Sequence, residues 1–306
     1  MTTNIRADVL STLERFIAGW RSHDTTGIRA ALTDDAVLRS SAHGEVLTAA
    51  TIADTLATDF PAAAPTRIVS TNAYVAGNLA RTTLTAYLYG VFAHESNRTE
   101  AVFGAVLLAN LVPGPDGWVF TDLRLSVTQV EGTRRHFARW QLPDRSGWQV
   151  GDPTPIIVSE IDSPWACGVP ALAGLSAEQR VVDAYTRYAW AIDQGDIALL
   201  VGAYAPDASG EFMPLGHREG RRDIIGQQKA FRRHWPHMQH FGLPLAVTLD
   251  DARTASMVVG RVIPQRDVDA SGAPLFGARY QLQLVLDDDE WRIRHFDYRE
   301  GWTGTP

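Results

Sequence analysis

The sequence predicts an α+β fold present twice in one chain. Three observations point there: an internal repeat at a spacing of 172 residues, helical amphipathic patterns opening each copy, and a run of strands closing each copy. At that offset Val9 falls on Val181, Arg15 on Arg187, Asp24 on Asp196, Ala31 on Ala203 and Asp35-Ala36 on Asp207-Ala208. Gly44 falls on Gly216, Ile52 on Ile224 and Ala80-Arg81-Thr82 on Ala252-Arg253-Thr254; with one more residue Trp118 meets Trp291. Solenoid repeats recur every ~20–50 residues, so so long a period marks a duplicated domain. A chain of 306 residues is long enough for two domains, each with its own core.

Each copy opens with a helix. Val9, Leu13, Phe16, Ile17 and Trp20 recur at helical spacing in the first, and Val181, Val182, Tyr185, Tyr188 and Ile192 do so in the second. Ser22-His23-Asp24 and Gln194-Gly195-Asp196 then break the pattern; Gly195 suits a helix C-terminus, and Asp24 and Asp196 suit the N-cap of a second helix. That second helix is expected to end near Thr33-Asp34-Asp35 and Ala205-Pro206-Asp207. A short extended segment follows, then a third helix around residues 50–59 and 222–233. Strands are predicted at 67–75, 80–91, 101–111 and 118–127, and again at 238–249, 254–263, 277–286 and 291–298. Turn residues separate them, such as Pro113-Gly114-Pro115-Asp116-Gly117 and Asp287-Asp288-Asp289-Glu290. Helices followed by a run of strands pack on one face of a curved antiparallel sheet. The domains are placed at 1–130 and 173–306, with a Pro/Gly/Trp connector at 131–172. Its Trp140, Trp148 and Trp165 predict a segment packed on a domain, not a free tether.

Composition narrows the function classes. The chain is 45% hydrophobic and 21% charged with a formal net charge of −7, which argues against a nucleic-acid surface. Arg232-Arg233, followed by His234 and Trp235, reads as a solvated helix end. The single cysteine, Cys167, excludes an intramolecular disulfide and fits a reducing compartment; in its Pro/Gly-rich setting it reads as an ordinary thiol. The N-terminal residues lead into an amphipathic helix without the apolar run of a signal peptide, and no apolar stretch nears the ~20 residues of a membrane span. The expectation is a cytoplasmic protein without a membrane partner. Gly-rich phosphate loops and Gly-x-Ser-x-Gly elbows are missing, so cofactor-free chemistry is expected.

Several residue types suit acid–base work. Asp193 closes the apolar face of the first helix of the second copy, where a carboxylate has to be paired. His240, on the predicted first long strand, would supply the partner, and an imidazole oriented by a carboxylate is a general base. Tyr188 is a candidate general acid or oxyanion donor. Tyr185, His237, Arg261, His295 and Asp297 complete the substrate-binding candidates, although core packing is the plainer reading of Tyr185. His295 and Asp297 alternate with Trp291 and Ile293, which predicts one shared side of the last strand. His234, His237 and His240 recur every third residue, but Pro236 breaks any helix between the first two, so no metal site is expected. In the first copy Arg21 and Ile68 stand where Asp193 and His240 do, and Arg21 and Arg67 are expected near a filled pocket.

The second copy resembles the SnoaL-like branch of the cone-shaped nuclear transport factor 2-like fold. The residues that carry the likeness are Tyr188 through Asp196, Gln239-His240-Phe241, Ala278-Arg279-Tyr280 and Asp289-Glu290-Trp291-Arg292-Ile293. The branch includes scytalone dehydratase, bile-acid dehydratase, hexachlorocyclohexane dehydrochlorinase and polyketide cyclases. The resemblance implies two tandem cones, each of three helices on a curved sheet, paired as an intrachain pseudo-dimer that can itself form a homodimer. It also implies Asp193 and His240 as the acid–base pair, preceded by Tyr188. A second histidine that scytalone dehydratase carries on a later strand has no counterpart near Leu275-Phe276-Gly277. The function expected is that of a cofactor-independent lyase or isomerase, of dehydratase type, acting on a small hydrophobic polyketide-, steroid- or terpenoid-like compound. The alternatives are a cyclase or aldolase using the same enolate, or a non-catalytic small-molecule-binding protein.

Overall fold

The computed structural model describes residues 4–60, 65–93, 99–142, 150–234 and 238–304. Two compact units divide the chain, Met1–Ala173 and Gly174–Pro306. Each is built in the same order, and the 172-residue register holds through most of it. Helices α1 (Ile5–Ser22), α2 (Thr25–Ala30) and α3 (Ala49–Ala57) interleave with strands β1 (Leu32–Ser40) and β2 (Gly44–Leu47). Strands β3 (Arg67–Gly77), β4 (Thr82–Ala93), β5 (Thr99–Gly114) and β6 (Gly117–Gly132) follow, and a short helix α4 (Ser159–Asp162) lies in the segment after them. The second unit repeats this as α5 (Ala177–Gln194), α6 (Ile197–Ala203), β7 (Tyr204–Phe212), β8 (Gly216–Glu219), α7 (Arg221–Arg232), β9 (Gly242–Leu249), β10 (Thr254–Val262), β11 (Phe276–Asp287) and β12 (Glu290–Thr303). Starts at 5 and 177, 44 and 216, and 82 and 254 keep the offset, and the last strands, from 117 and 290, carry the extra residue.

Each sheet has six strands, in the orders β2-β1-β6-β5-β4-β3 and β8-β7-β12-β11-β10-β9. The four closing strands pair antiparallel. The extended segments predicted between helices two and three are full strands that join the sheet parallel to β6 and β12. They begin at Leu32 and Tyr204, so α2 and α6 stop short of the expected ends; both residues are buried and their ladder contacts outcompete further helix. The catalytic-helix candidate α5 is closed at both ends by local chemistry. Ser176 and Gln179 form a capping box, and Gly195 takes the left-handed conformation, φ 69°, at the C-cap.

In the first unit an aromatic cluster occupies the space between helices and sheet. Trp20 lies against Phe60, Phe103 and Trp140 at ring-centroid distances of 5.6, 5.7 and 6.3 Å. The buried Asp59 carboxylate accepts from Trp20 Nε1 at 2.9 Å and pairs with His43 Nε2 at 2.7 Å, while His43 Nδ1 meets Ser40 Oγ at 3.0 Å. Residues after β6 pack on this unit: Phe137 and Trp140 are buried, Trp165 stacks on Tyr74 at 4.5 Å, and Gly77 N–H donates to Pro170 O. Ile68 is buried on β3, whereas Arg21 is exposed at the end of α1; Arg67 is half-buried on β3. Among the described residues no helix is long and apolar enough to cross a membrane.

Candidate active site

Asp193 ends the buried face of α5, and its side chain is 1% exposed. Burying a carboxylate so deeply requires hydrogen-bond partners for both oxygens. His240 supplies them: its backbone N–H donates to Oδ2 at 2.7 Å and its ring Nδ1 to Oδ1 at 2.6 Å. With Nδ1 held by the carboxylate, the imidazole carries its second nitrogen, Nε2, as the free lone pair. His240 lines a cavity of about 200 Å³ in the second unit. It does not lie on a strand as the pattern predicted; β9 begins at Gly242 because the His240 amide is spent on Asp193 and not on the sheet ladder.

Arg232, at the last turn of α7, fixes this arrangement from behind. Its guanidinium donates to Ile192 O at 3.2 Å, Asp193 O at 2.7 Å and Met238 O at 2.7 Å. It therefore ties the end of α5 to the segment that carries His240, and it places positive charge at a helix C-terminus. The expectation of a solvated helix end holds for the exposed Arg233 but not for Arg232.

Tyr188 is buried, lines the cavity, and lies 6.3 Å from His240 between ring centroids. Its hydroxyl accepts a long hydrogen bond from Gln228 Nε2, 3.4 Å, and the same amide donates to Tyr204 Oη at 2.8 Å. Burial, then the neighbouring phenols Tyr204, Tyr280 and Tyr185 and the Asp193 carboxylate, push the Tyr188 hydroxyl well above the ordinary tyrosine range. It is a neutral donor at any working pH.

Arg261 also lines the cavity. Burial opposes its charge, but Tyr280, Tyr298 and Asp193 outweigh that and raise its pKa. Tyr280 stands beside it on the cavity wall; burial raises its hydroxyl, and the Arg261 charge only partly offsets this. Most of the remaining wall is apolar, with Ile192, Phe212, Leu215, Phe231, Met238 and Phe296, and Gln227, Gln228 and Tyr298 add polar groups to it. Leu215 and Phe231 are partly exposed, as is Met213, giving the cavity an apolar rim.

The other sequence candidates fall elsewhere. Tyr185 is 1% exposed and packs under the start of β9 without lining the cavity; a Cβ on Gly242 would sit 2.3 Å from its hydroxyl, so only glycine fits there. His295 and Asp297 project from the face of the sheet opposite the cavity, beside Thr248, Ser256, Gln281 and Gln283. There His295 Nδ1 meets Ser209 Oγ at 2.9 Å and Asp297 pairs with Arg299 at 3.0 Å. A register shift between Ile293 and His295, where β7 joins β12, breaks the expected alternation, so Ile293 and Phe296 share the inner face instead. His237 lies outside the described residues. Among the described residues no three His, Cys, Asp or Glu side chains cluster as metal ligands would. Sequence reasoning missed Arg232, Tyr280 and the apolar rim.

No curated protein matches this chain. Similar solved structures include a protein of unknown function with a cystatin-like fold from Nostoc punctiforme, 18% identical, with a TM-score of 0.37 over 42% of this chain and 93% of that one. ActVI-ORFA from Streptomyces coelicolor is 20% identical, with a TM-score of 0.36 over 40% of this chain and 98% of that one. The hexachlorocyclohexane dehydrochlorinase LinA-type3 from Novosphingobium barchaimii is 13% identical, with a TM-score of 0.36 over 42% and 89%. The family model of the SnoaL-like domain matches residues 173–297, the span holding Asp193 and His240, so this stretch of the chain is similar to that family.

Proposed function

We propose that the second unit is a cofactor-independent lyase or isomerase, of dehydratase type, acting on a small hydrophobic compound through Asp193 and His240. The observation that carries this reading is the double hydrogen bond from His240 to a buried carboxylate, with the imidazole on the wall of an apolar cavity. In the first step His240 Nε2 removes a proton from carbon next to a carbonyl, and the freed electron pair moves into the enolate. Asp193 then faces an imidazolium through a charge-assisted hydrogen bond. In the second step the enolate electrons return to form the carbon–carbon double bond as the β-hydroxyl departs. That hydroxyl takes the proton held by the imidazolium, with Tyr188 donating a hydrogen bond to it, and leaves as water, which returns His240 to its neutral form. In an isomerisation the same proton returns to a different carbon.

The test is independent of which of these outcomes follows. The protein is incubated in D₂O with a panel of aromatic and alicyclic β-hydroxy ketones, and deuterium at the α-carbon is read by mass spectrometry. Exchange is expected in the wild type and lost in His240→Ala. A compound that binds in the cavity and turns over equally well in His240→Ala sinks the proposal.

A further inference from the structure

The two structural arginines of the second unit show how such a side chain is satisfied. Arg187 donates to Glu290, Gly202 O and Trp291 O, and Arg232 donates to three backbone carbonyls. Arg261 differs from both. Among the described residues it makes no ion pair with a carboxylate and no hydrogen bond to a backbone carbonyl; its Nε is buried without a partner, as the Arg187 Nε also is. The Tyr280 hydroxyl, in a residue 2% exposed, meets the Arg261 side chain, and among the described residues it has no other hydrogen-bond partner. Strand register explains their proximity: Tyr280 on β11 pairs with Val259, two residues from Arg261 on β10, so both side chains rise from the same face of adjacent strands. The acidic groups nearby are otherwise placed. Both Asp193 oxygens are engaged by His240, and Glu300 stands at the exposed mouth.

A cation that no carboxylate meets, beside a phenol whose proton has no acceptor, on the wall of a mostly apolar cavity favours a ligand that brings a negative oxygen to them. We propose that Arg261 and Tyr280 form an anion subsite, and that the compound bound in this cavity is an amphipathic acid: a compact apolar body carrying one anionic oxygen, as a carboxylate or as an enolate or phenolate. The oxygen accepts from the Arg261 guanidinium and from Tyr280 Oη–H, and the apolar body lies toward Phe212, Leu215 and Phe231. This assignment rests on reading the cavity as the substrate site, but it requires no chemistry by the dyad.

The test uses three probes of similar shape, 2-naphthoate, 2-naphthamide and 2-naphthol, titrated into the full chain by calorimetry. The wild type is expected to bind naphthoate about tenfold or more tighter than the amide, the scale of a charge-assisted hydrogen bond. Arg261→Met is expected to bring the two affinities together while leaving the amide unchanged, and Arg261→Lys to restore part of the preference in a protein of unaltered melting temperature. Tyr280→Phe is expected to weaken naphthoate by a few-fold. Naphthol affinity rising with pH, as the probe ionises, identifies an enolate-like oxygen as the natural partner; preference confined to naphthoate identifies a carboxylate. Equal affinity for naphthoate and amide, no naphthoate binding, or a preference that survives Arg261→Met overturns the proposal. His240→Ala is expected to keep the preference, so failure of the acid–base reading shows in deuterium exchange and failure of the anion subsite shows here.

Discussion

The two units share a frame and part company where each frame would open. At the 172-residue offset Trp20 corresponds to Ile192, Ser40 to Phe212, His43 to Leu215, Asp59 to Phe231 and Phe60 to Arg232. In the first unit Ser40, His43, Asp59 and Trp20 join in one buried hydrogen-bonded chain, over which Trp140 packs edge-on to His43. In the second the matched residues are the apolar walls and rim of a cavity, and its polar groups have moved inward to Asp193, His240, Arg261 and Tyr280. Among the described residues, the matched positions hold a polar latch and aromatic side chains in one copy, and an apolar rim around a cavity lined by His240 in the other. Ser40, His43 and Asp59 form a serine–histidine–aspartate chain whose serine is 1% exposed.

The comparison breaks most readily at the dyad. Asp193→Asn and His240→Ala are each expected to lower turnover by roughly 10²–10⁴-fold, with the double variant little worse than either single one. Steady-state rates on any compound that exchanges deuterium provide the measurement, and near-wild-type turnover in either single variant would falsify the division of labour between the units. Next in size is the latch. Asp59→Ala strands His43 and Trp20 Nε1 in the interior, and denaturant unfolding is expected to show a loss of about 3 kcal/mol or more with the second unit's activity intact. A loss below about 0.5 kcal/mol would mean that the latch is not what closes the first unit.

Two exchanges between the copies sharpen the contrast. Ile192→Trp imports the first unit's filling into the cavity wall; probe binding is expected to fall about tenfold or more, at a stability cost of about 1–3 kcal/mol from overpacking. Unchanged binding would show that filling this position does not suffice to close the fold. Ile68→His, combined with Arg21→Asp, copies the dyad residue types into the first unit. It is expected to destabilise by about 1–3 kcal/mol through a buried imidazole and to create no activity. The smallest effect concerns His217 on β8, which lies exposed between Glu219 and Glu211. Those carboxylates, Glu219 first, raise its pKa above the ordinary histidine value. The folded protein holds this proton more tightly than the unfolded chain, so the associated stability is present at low pH and fades as pH rises through the folded-state pKa. An NMR titration midpoint at or below the ordinary histidine value would contradict the two contacts.

Much of this contrast was legible before the structure, for definite physical reasons. The helical periodicity of Val181, Tyr185, Tyr188 and Ile192 survives in α5 because one face of that helix is buried, and the offset locates its counterpart. Asp193 and His240 emerged from their positions in that pattern and from the family likeness. What stayed hidden depends on contacts between distant segments. Nothing local marks His240 as lying before β9 and not within it, since its amide is claimed by a carboxylate 47 residues earlier. The bulge that turns His295 and Asp297 away from the cavity arises where a parallel strand joins, and alternation along β12 alone cannot show it. Arg232 looked like one of two solvated arginines because its three carbonyl partners belong to other segments.

That clamp also bears on how the protein acquires its function. Helix α7 runs to Arg232, whereas its counterpart α3 ends at Ala57, matched to Lys229, and the additional turn delivers the guanidinium to the end of α5 and to Met238. The histidine and its carboxylate meet only when three segments far apart in the chain have docked, and such long-range closure comes late in folding. During refolding the helices can therefore form well ahead of the Asp193–His240 contact. Recovery of activity becomes a clock for the final docking, and helical circular dichroism should run ahead of it.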